Sequence, residues 1–523
     1  MTALPSRRVT VLAVACVAAA AALLRLPMFV TVVLGVPSPK LLWYDESYAI
    51  FMAGRGFFEA VRLSGADTTP ALFVALLSLW MKAAGTATAA LASFPYLWSV
   101  AAVPVMYLLG HELGGRGAKG RTAGLLAALI VAADALHVSY ATEVRTYSLL
   151  FFFAALSLLF LSRHERTRDR RDGLAWTLAC LAGFYASYTF LLLFIPQAAF
   201  AAWGARRSRA ERLALAGRAL ILAAGYLPQV LLYRRWSDLF PVPGAPASFF
   251  SRGFGHGGLV TFFTYFSSMG LGPAAFYPLT ARALFATLAA GAAIAAALAF
   301  AARATWKEPR LRLMAACVFG GIALAMAGRF IFAPRYYLAF VAPAAALAAC
   351  ALASLRRPWA AAVPLIVALG VASLASNEVP AAEAYKYYAP DFAATLSAEA
   401  KPGDLALVDH YTEMLFRRYP PAGVETAMFF PKDGANVTDP AERLRWFDYD
   451  LMNEGDYATL EKLTAGRARV WTIDYFPQRT SLQDPAGLKR RWFDAHFRLA
   501  EEREFPPEAP DGAQRMLLLL YER

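Results

Sequence analysis

Apolar runs long enough to cross a bilayer constrain this chain more than any other feature. A backbone in hydrocarbon must satisfy its own hydrogen bonds and so crosses as a helix. At about 1.5 Å per residue, the roughly 30 Å core takes about 17 to 25 mostly apolar residues. Runs of this kind cover residues 9–28, 91–111, 122–138, 146–162, 173–189, 190–203, 214–232, 282–303, 311–328, 336–355 and 358–376, which predicts about eleven spans. A single water-soluble core is excluded: 58% of the 523 residues are hydrophobic and only 17% are charged, whereas soluble domains are roughly 45–50% apolar. The net charge of +13 does not imply nucleic acid. Most of the excess sits in short clusters between apolar runs, where it reports topology.

Those clusters are Arg7/Arg8, Arg116/Lys119/Arg121, Arg163/Arg166/Arg168/Arg170/Arg171, Arg206/Arg207/Arg209/Arg212, Arg303/Lys307/Arg310/Arg312 and Arg356/Arg357. All six fall on one side, the cytoplasmic one, if residues 174–203 form a hairpin turning near Tyr188 and Thr189. The same condition makes 70–84 a re-entrant or surface helix that protein must cover. The first run resembles a secretion signal but lacks a convincing cleavage site, so it reads as an uncleaved helix with a cytoplasmic N-terminus. The expected fold class is mainly α: a polytopic transmembrane helical bundle (1–376) with a small C-terminal soluble α/β domain (377–523). Residues 29–90 form a first periplasmic loop with juxtamembrane helices. Short apolar runs at 405–408, 470–473 and 516–521 read as strands of the soluble domain. Cys16, Cys180, Cys317 and Cys350 lie in apolar stretches without a C-x-x-C pair and read as packing residues.

Charges beside hydrocarbon are costly and usually tied to function. On the face opposite the basic clusters they gather in four segments: Trp43-Tyr44-Asp45-Glu46-Ser47-Tyr48, the stretch "DTTPALF" from Asp67, the stretch "HVSYATEVRTY" from His137, and the stretch "RFIFAPRYY" from Arg329. Together with "LGHELGGRGAKGRTAGLLAALI" from Leu109, these segments resemble bacterial C-type (GT-C) membrane glycosyltransferases. The similarity is to the family 39 branch of protein mannosyltransferase-like, aminoarabinose transferase and RgtA/B/C/D-like enzymes.

The resemblance implies transfer of a sugar from a polyprenyl-phosphate donor to a glycan, lipid or protein acceptor on the periplasmic side of the inner membrane, with inversion. Asp45 matches the family's catalytic acid and is the expected general base, with Glu46 beside it as a second catalytic candidate. The leaving phosphate needs cations more than a general acid, and guanidinium forks suit it. Arg335 and Arg145, with Tyr336, are therefore the expected donor-phosphate ligands. Glu143, Tyr147, Thr69 and His137 are expected to touch substrate or support those groups. No catalytic metal or other cofactor is expected, because Arg145 stands two residues after Glu143 where a second carboxylate would hold a cation. The departure from the family pattern is Thr69, where proline or lysine often precedes the equivalent of Pro70.

Bland roles stay open for each residue. Asp45 and Glu46 suit a helix N-terminus, Glu143 and Arg145 a local ion pair, and Arg335 a snorkelling helix end. His137 suits a satisfied polar residue at a helix end. Two other function classes stay open too, a polytopic transporter and a non-catalytic membrane scaffold.

Overall fold

The structure, a computed structural model, describes residues 7–34, 42–66, 69–115, 117–238, 258–276, 280–327, 334–375, 388–429, 452–474, 484, 487–505 and 515–523. The expected domain boundary at 376/377, Asp67 and residues 329–333 lie outside these. Each expected span falls on one helix except 122–138, which falls on two. The order runs α1 (Arg7–Leu34), α2 (Tyr44–Gly54), α3 (Phe57–Leu63), α4 (Ala71–Ala84), α5 (Thr88–Gly114), α6 (Ala118–Ala133), α7 (Ala135–Ser139), α8 (Tyr147–Thr167), α9 (Arg170–Ala186), α10 (Phe190–Ala205), α11 (Arg209–Asp238) and α12 (Gly258–Leu271). It continues with α13 (Ala281–Ala304), α14 (Pro309–Ala327, with a π turn at Ala316–Gly320), α15 (Leu338–Leu352) and α16 (Pro358–Ala375).

Eight helical stretches among the described residues are long and apolar enough to cross a membrane. Helices α6, α9 and α10 are shorter, at 16, 17 and 16 residues. The chain is a multi-span membrane protein. The hairpin forms as expected, with α9 ending at Ala186 and α10 beginning at Phe190. Helix α4, 14 residues long, is covered by protein at Phe73, Val74 and Leu77. Glu112 of α5 accepts hydrogen bonds from Arg166 at the end of α8 and from Arg310 at the start of α14. Three basic interhelical loops therefore meet at one end of the bundle, and the first residue of α8, Tyr147, lies at the other.

The expected 122–138 span is interrupted at Asp134. Its extended backbone (φ −67°, ψ 121°) ends α6, and its carboxylate accepts the His137 amide at 2.8 Å to start α7. The carbonyls released by this break are taken up by Arg25 of α1, which donates to Val131 and Ala132 at 3.2 and 3.0 Å. The same guanidinium donates to the Ala21 carbonyl and the Ser99 hydroxyl and meets His137 Nδ1 at 2.6 Å. All five N–H donors of a fully buried arginine are thus used.

Glycines set how closely α5 and α6 approach. A Cβ at Gly110 would stand 2.6 Å from the Ala123 carbonyl oxygen, and one at Gly124 2.7 Å from that of Tyr107. Small residues give membrane helices this backbone contact.

The C-terminal part holds α17 (Ala389–Glu399), β1 (Leu405–Val408), α18 (His410–Phe416), β2 (Glu425–Met428), α19 (Tyr457–Thr464), β3 (Arg469–Asp474), α20 (Leu488–His496), β4 (Arg498–Phe505) and β5 (Met516–Glu522). The sheet order is β2-β1-β3-β5-β4. Strand β1 runs parallel to β2 and β3, while β5 is antiparallel to β3 and β4. One sheet face (Ala406, Val408, Trp471, Ile473, Leu518, Leu520) belongs to the same continuous apolar cluster as the helical bundle. The other face (Leu405, Leu407, Val470, Leu519, Tyr521) packs with Leu460 of α19 and with Trp492 and Phe493 of α20. The bundle and the sheet are therefore joined by a shared core.

Candidate active site

The acidic segment after the first span forms the N-terminus of α2. Glu46 closes a capping arrangement, its Oε2 accepting the Trp43 amide at 3.1 Å. Its Oε1 accepts the Val144 amide at 2.7 Å, so one carboxylate ties α2 to the 140–146 loop. Glu46 is 4% exposed. Burial, and then Glu143 beside it, pushes its carboxyl up to about 8, against the two backbone donors that pull it down. With an amide on each oxygen, Glu46 holds the start of α2 against the 140–146 loop.

Asp45 next to it is open. Its side chain retains 21% of its exposure, and Oδ2 stands 3.7 Å from Nη2 of Arg335. Arg335 comes from the turn Pro334–Tyr337 that leads into α15. Its guanidinium lies 5.2 Å from the ring centre of Trp43 and 5.5 Å from that of Tyr336, and its Nε is buried with no hydrogen-bond partner among the described residues. Arg145 reaches the same place from the 140s loop, donating to the Asp45 carbonyl at 3.3 Å and to the Thr69 hydroxyl at 3.0 Å. Trp43 Nε1 donates to Glu143 at 3.3 Å. Tyr147 packs edge-on against Tyr336, 6.5 Å between centres.

Asp45, Glu46, Thr69, Glu143, Arg145, Tyr147, Arg335 and Tyr336 are therefore drawn together from four separate segments. His137 is not among them. It belongs to the Arg25 cluster, packed on Phe151 at 4.2 Å, with Nδ1 against Arg25 and Nε2 buried without a hydrogen-bond partner among the described residues. One participant is missing from the sequence-based site: Trp43, its indole linking Glu143 to Arg335. Outside the site, the Arg25 cluster was signalled only by a lone arginine inside the first apolar run. Among the described residues no group of three or more His, Cys, Asp or Glu side chains comes together as ion ligands would.

Similarity to known proteins follows the same layout. Residues 73–195 match the family model described as dolichyl-phosphate-mannose-protein mannosyltransferase, a stretch that includes α4 to α9 and the loop carrying Glu143 and Arg145. Over nearly the whole length, the structure superposes on ArnT from Cupriavidus metallidurans in the apo state, with a TM-score of 0.55, 14% identity, and 94% of this chain and 96% of that one covered. The chain has a GT-C fold. ArnT bound to undecaprenyl phosphate aligns equally well, with a TM-score of 0.54, 14% identity and 98% of each chain covered. No curated relative matches by sequence. In GT-C terms, the acidic loop, the 140s loop and the turn before α15 are three separate connections that the bundle brings to one end.

Proposed function

We propose that the protein is an integral membrane glycosyltransferase, moving a sugar from a polyprenyl-phosphate donor to an acceptor hydroxyl on the extracytoplasmic face. The observation that carries this reading is the solvent-reachable Asp45 carboxylate 3.7 Å from a largely buried Arg335, with Arg145 alongside. The general acid–base chemistry of transfer needs such a carboxylate within hydrogen-bond reach of the attacking hydroxyl. The departing phosphate needs fixed cations in a water-poor place.

In the proposed step the acceptor O–H gives its proton to Asp45 while its oxygen bonds to the anomeric carbon. The bond from that carbon to the phosphate oxygen breaks, and its electron pair leaves with polyprenyl phosphate as a monoester. Arg335 and Arg145 hold the phosphate throughout, and Tyr336 flanks it. One displacement inverts the anomeric centre. No metal takes part, the cations at the site being guanidinium groups. The undecaprenyl phosphate in the ArnT structure of the same fold supports a polyprenyl carrier here.

The test is purified protein in lipid vesicles offered a panel of polyprenyl-phosphate hexoses and pentoses. Asp45→Asn is expected to lower transfer by a factor of at least about a hundred. Transfer by Asp45→Asn at the wild-type rate would remove the base from the mechanism. EDTA treatment is expected to leave the wild-type rate unchanged, and loss of activity restored by a divalent cation would overturn the metal-free step.

A further inference from the structure

The acidic loop is held from a direction the reaction does not account for. It leaves α1 and returns to the bundle at α5, and both of its ends are gripped by consecutive residues that follow α18 in the C-terminal domain. At the near end, the Leu42 amide donates to the Tyr419 hydroxyl at 3.1 Å. At the far end, Arg418 donates to the Thr86 carbonyl at 3.3 Å and to the Thr88 hydroxyl at 2.5 Å. Tyr419, the next residue, is partly buried. One residue earlier, the Arg417 guanidinium sits 4.9 Å from the ring centre of Phe51 in α2. Met414, Leu415 and Phe416 of α18 share one apolar cluster with Tyr48, Ala49 and Met52 of α2.

These contacts are not those of a tethered appendage. Three consecutive side chains, Arg417, Arg418 and Tyr419, touch in turn Phe51 of α2, the start of α5 and the backbone just before α2. Between Leu42 and Thr88 lie Asp45, Glu46 and Thr69. Tyr419 acts one residue before Trp43, whose amide Glu46 caps and whose indole faces Arg335.

Building on the glycosyltransferase reading, we propose that Arg418 and Tyr419 are positioning residues. They clamp both ends of the acidic loop so that Asp45 faces Arg335, which makes the C-terminal domain part of the catalytic unit. Neither side chain touches a reacting atom. The clamp sets where the carboxylate stands, while the donor phosphate is held by Arg335 and Arg145 from the bundle.

The test uses the full chain in lipid nanodiscs and the variants Tyr419→Phe and Arg418→Gln. Tyr419→Phe keeps the packed ring and removes only the oxygen that Leu42 bonds. Amide exchange over residues 42–48, followed by mass spectrometry, is expected to quicken by about tenfold, the loss of one hydrogen bond. Turnover with whichever panel sugar the wild type consumes is expected to fall by about tenfold through misplacement of Asp45. Affinity for undecaprenyl phosphate is expected to stay within about twofold of the wild type, since Arg335 is untouched.

Unchanged exchange in both variants overturns the clamp. Faster exchange with full turnover overturns the positioning role, and so does an affinity for undecaprenyl phosphate that falls in step with turnover. If the wild type transfers no sugar from the panel, the glycosyltransferase reading fails on its own. Exchange and undecaprenyl phosphate binding then decide the clamp without it.

Discussion

At the scale of single residues, the site divides labour between two adjacent carboxylates. Asp45 is partly open beside Arg335, and Glu46 is closed over two amides. Arg335→Ala is expected to raise the donor KM by about ten- to a hundredfold, the worth of a charge-assisted phosphate contact, with a smaller effect on the acceptor KM. A donor KM that does not move would count against the phosphate role. Glu46 makes a pH prediction whose sign follows from linkage. Its carboxyl is raised from the ordinary 4.5 to about 8, so the native state keeps a proton that the unfolded chain gives up. Stability from this group is present at low pH and is lost as pH rises through that window. The advantage of wild type over Glu46→Gln in thermal unfolding is therefore expected to shrink from pH 5 to pH 8. An advantage that grows over that range would reverse the assignment. The pair itself was legible in the sequence, because two acids just after a span are conspicuous. Their different duties were not, since the Val144 amide that engages Glu46 lies 98 positions away.

Among elements, the helices were legible because hydrophobic length is a strong local signal, and the hairpin at Tyr188 was fixed by the basic clusters at its two ends. The break at Asp134 was hidden. A carboxylate that ends one helix and starts the next is meaningful only with Arg25, on another helix, to take up the freed carbonyls. Strands β1, β3 and β5 stood out as apolar runs, whereas β4 reads Arg-Leu-Ala-Glu-Glu-Arg-Glu-Phe and carries its pattern in charges and stems. Strand β2, four residues with two exposed, gave no signal. The glycines of α5 and α6 looked like part of a motif, and the structure supplies their physical reason. Replacing Gly110 by Val pushes a side chain into the Ala123 backbone and is expected to destabilise by about 1–3 kcal/mol, read from thermal unfolding in detergent.

On the scale of the whole molecule, the two ends of the bundle differ in chemistry. Arg166 and Arg310 converge on Glu112 at one end, and Asp45, Arg145 and Arg335 gather at the other. Single cysteines at the exposed positions Gly117 and Ser208 are expected to react with a membrane-impermeant maleimide only from the cytoplasm. One at the exposed Lys462 is expected to react only from outside, and labelling of all three from one side would invalidate the topology. The shared apolar core also has a consequence for biogenesis. Strand β5, residues 516–522, lies between β3 and β4 and pairs with both. The sheet therefore cannot close until residues 516–522 have been synthesised, although the segments that carry Arg145 and Arg335 precede them in the chain. A chain cut before β5 would thus hold its membrane helices with an unfinished sheet against the acidic loop.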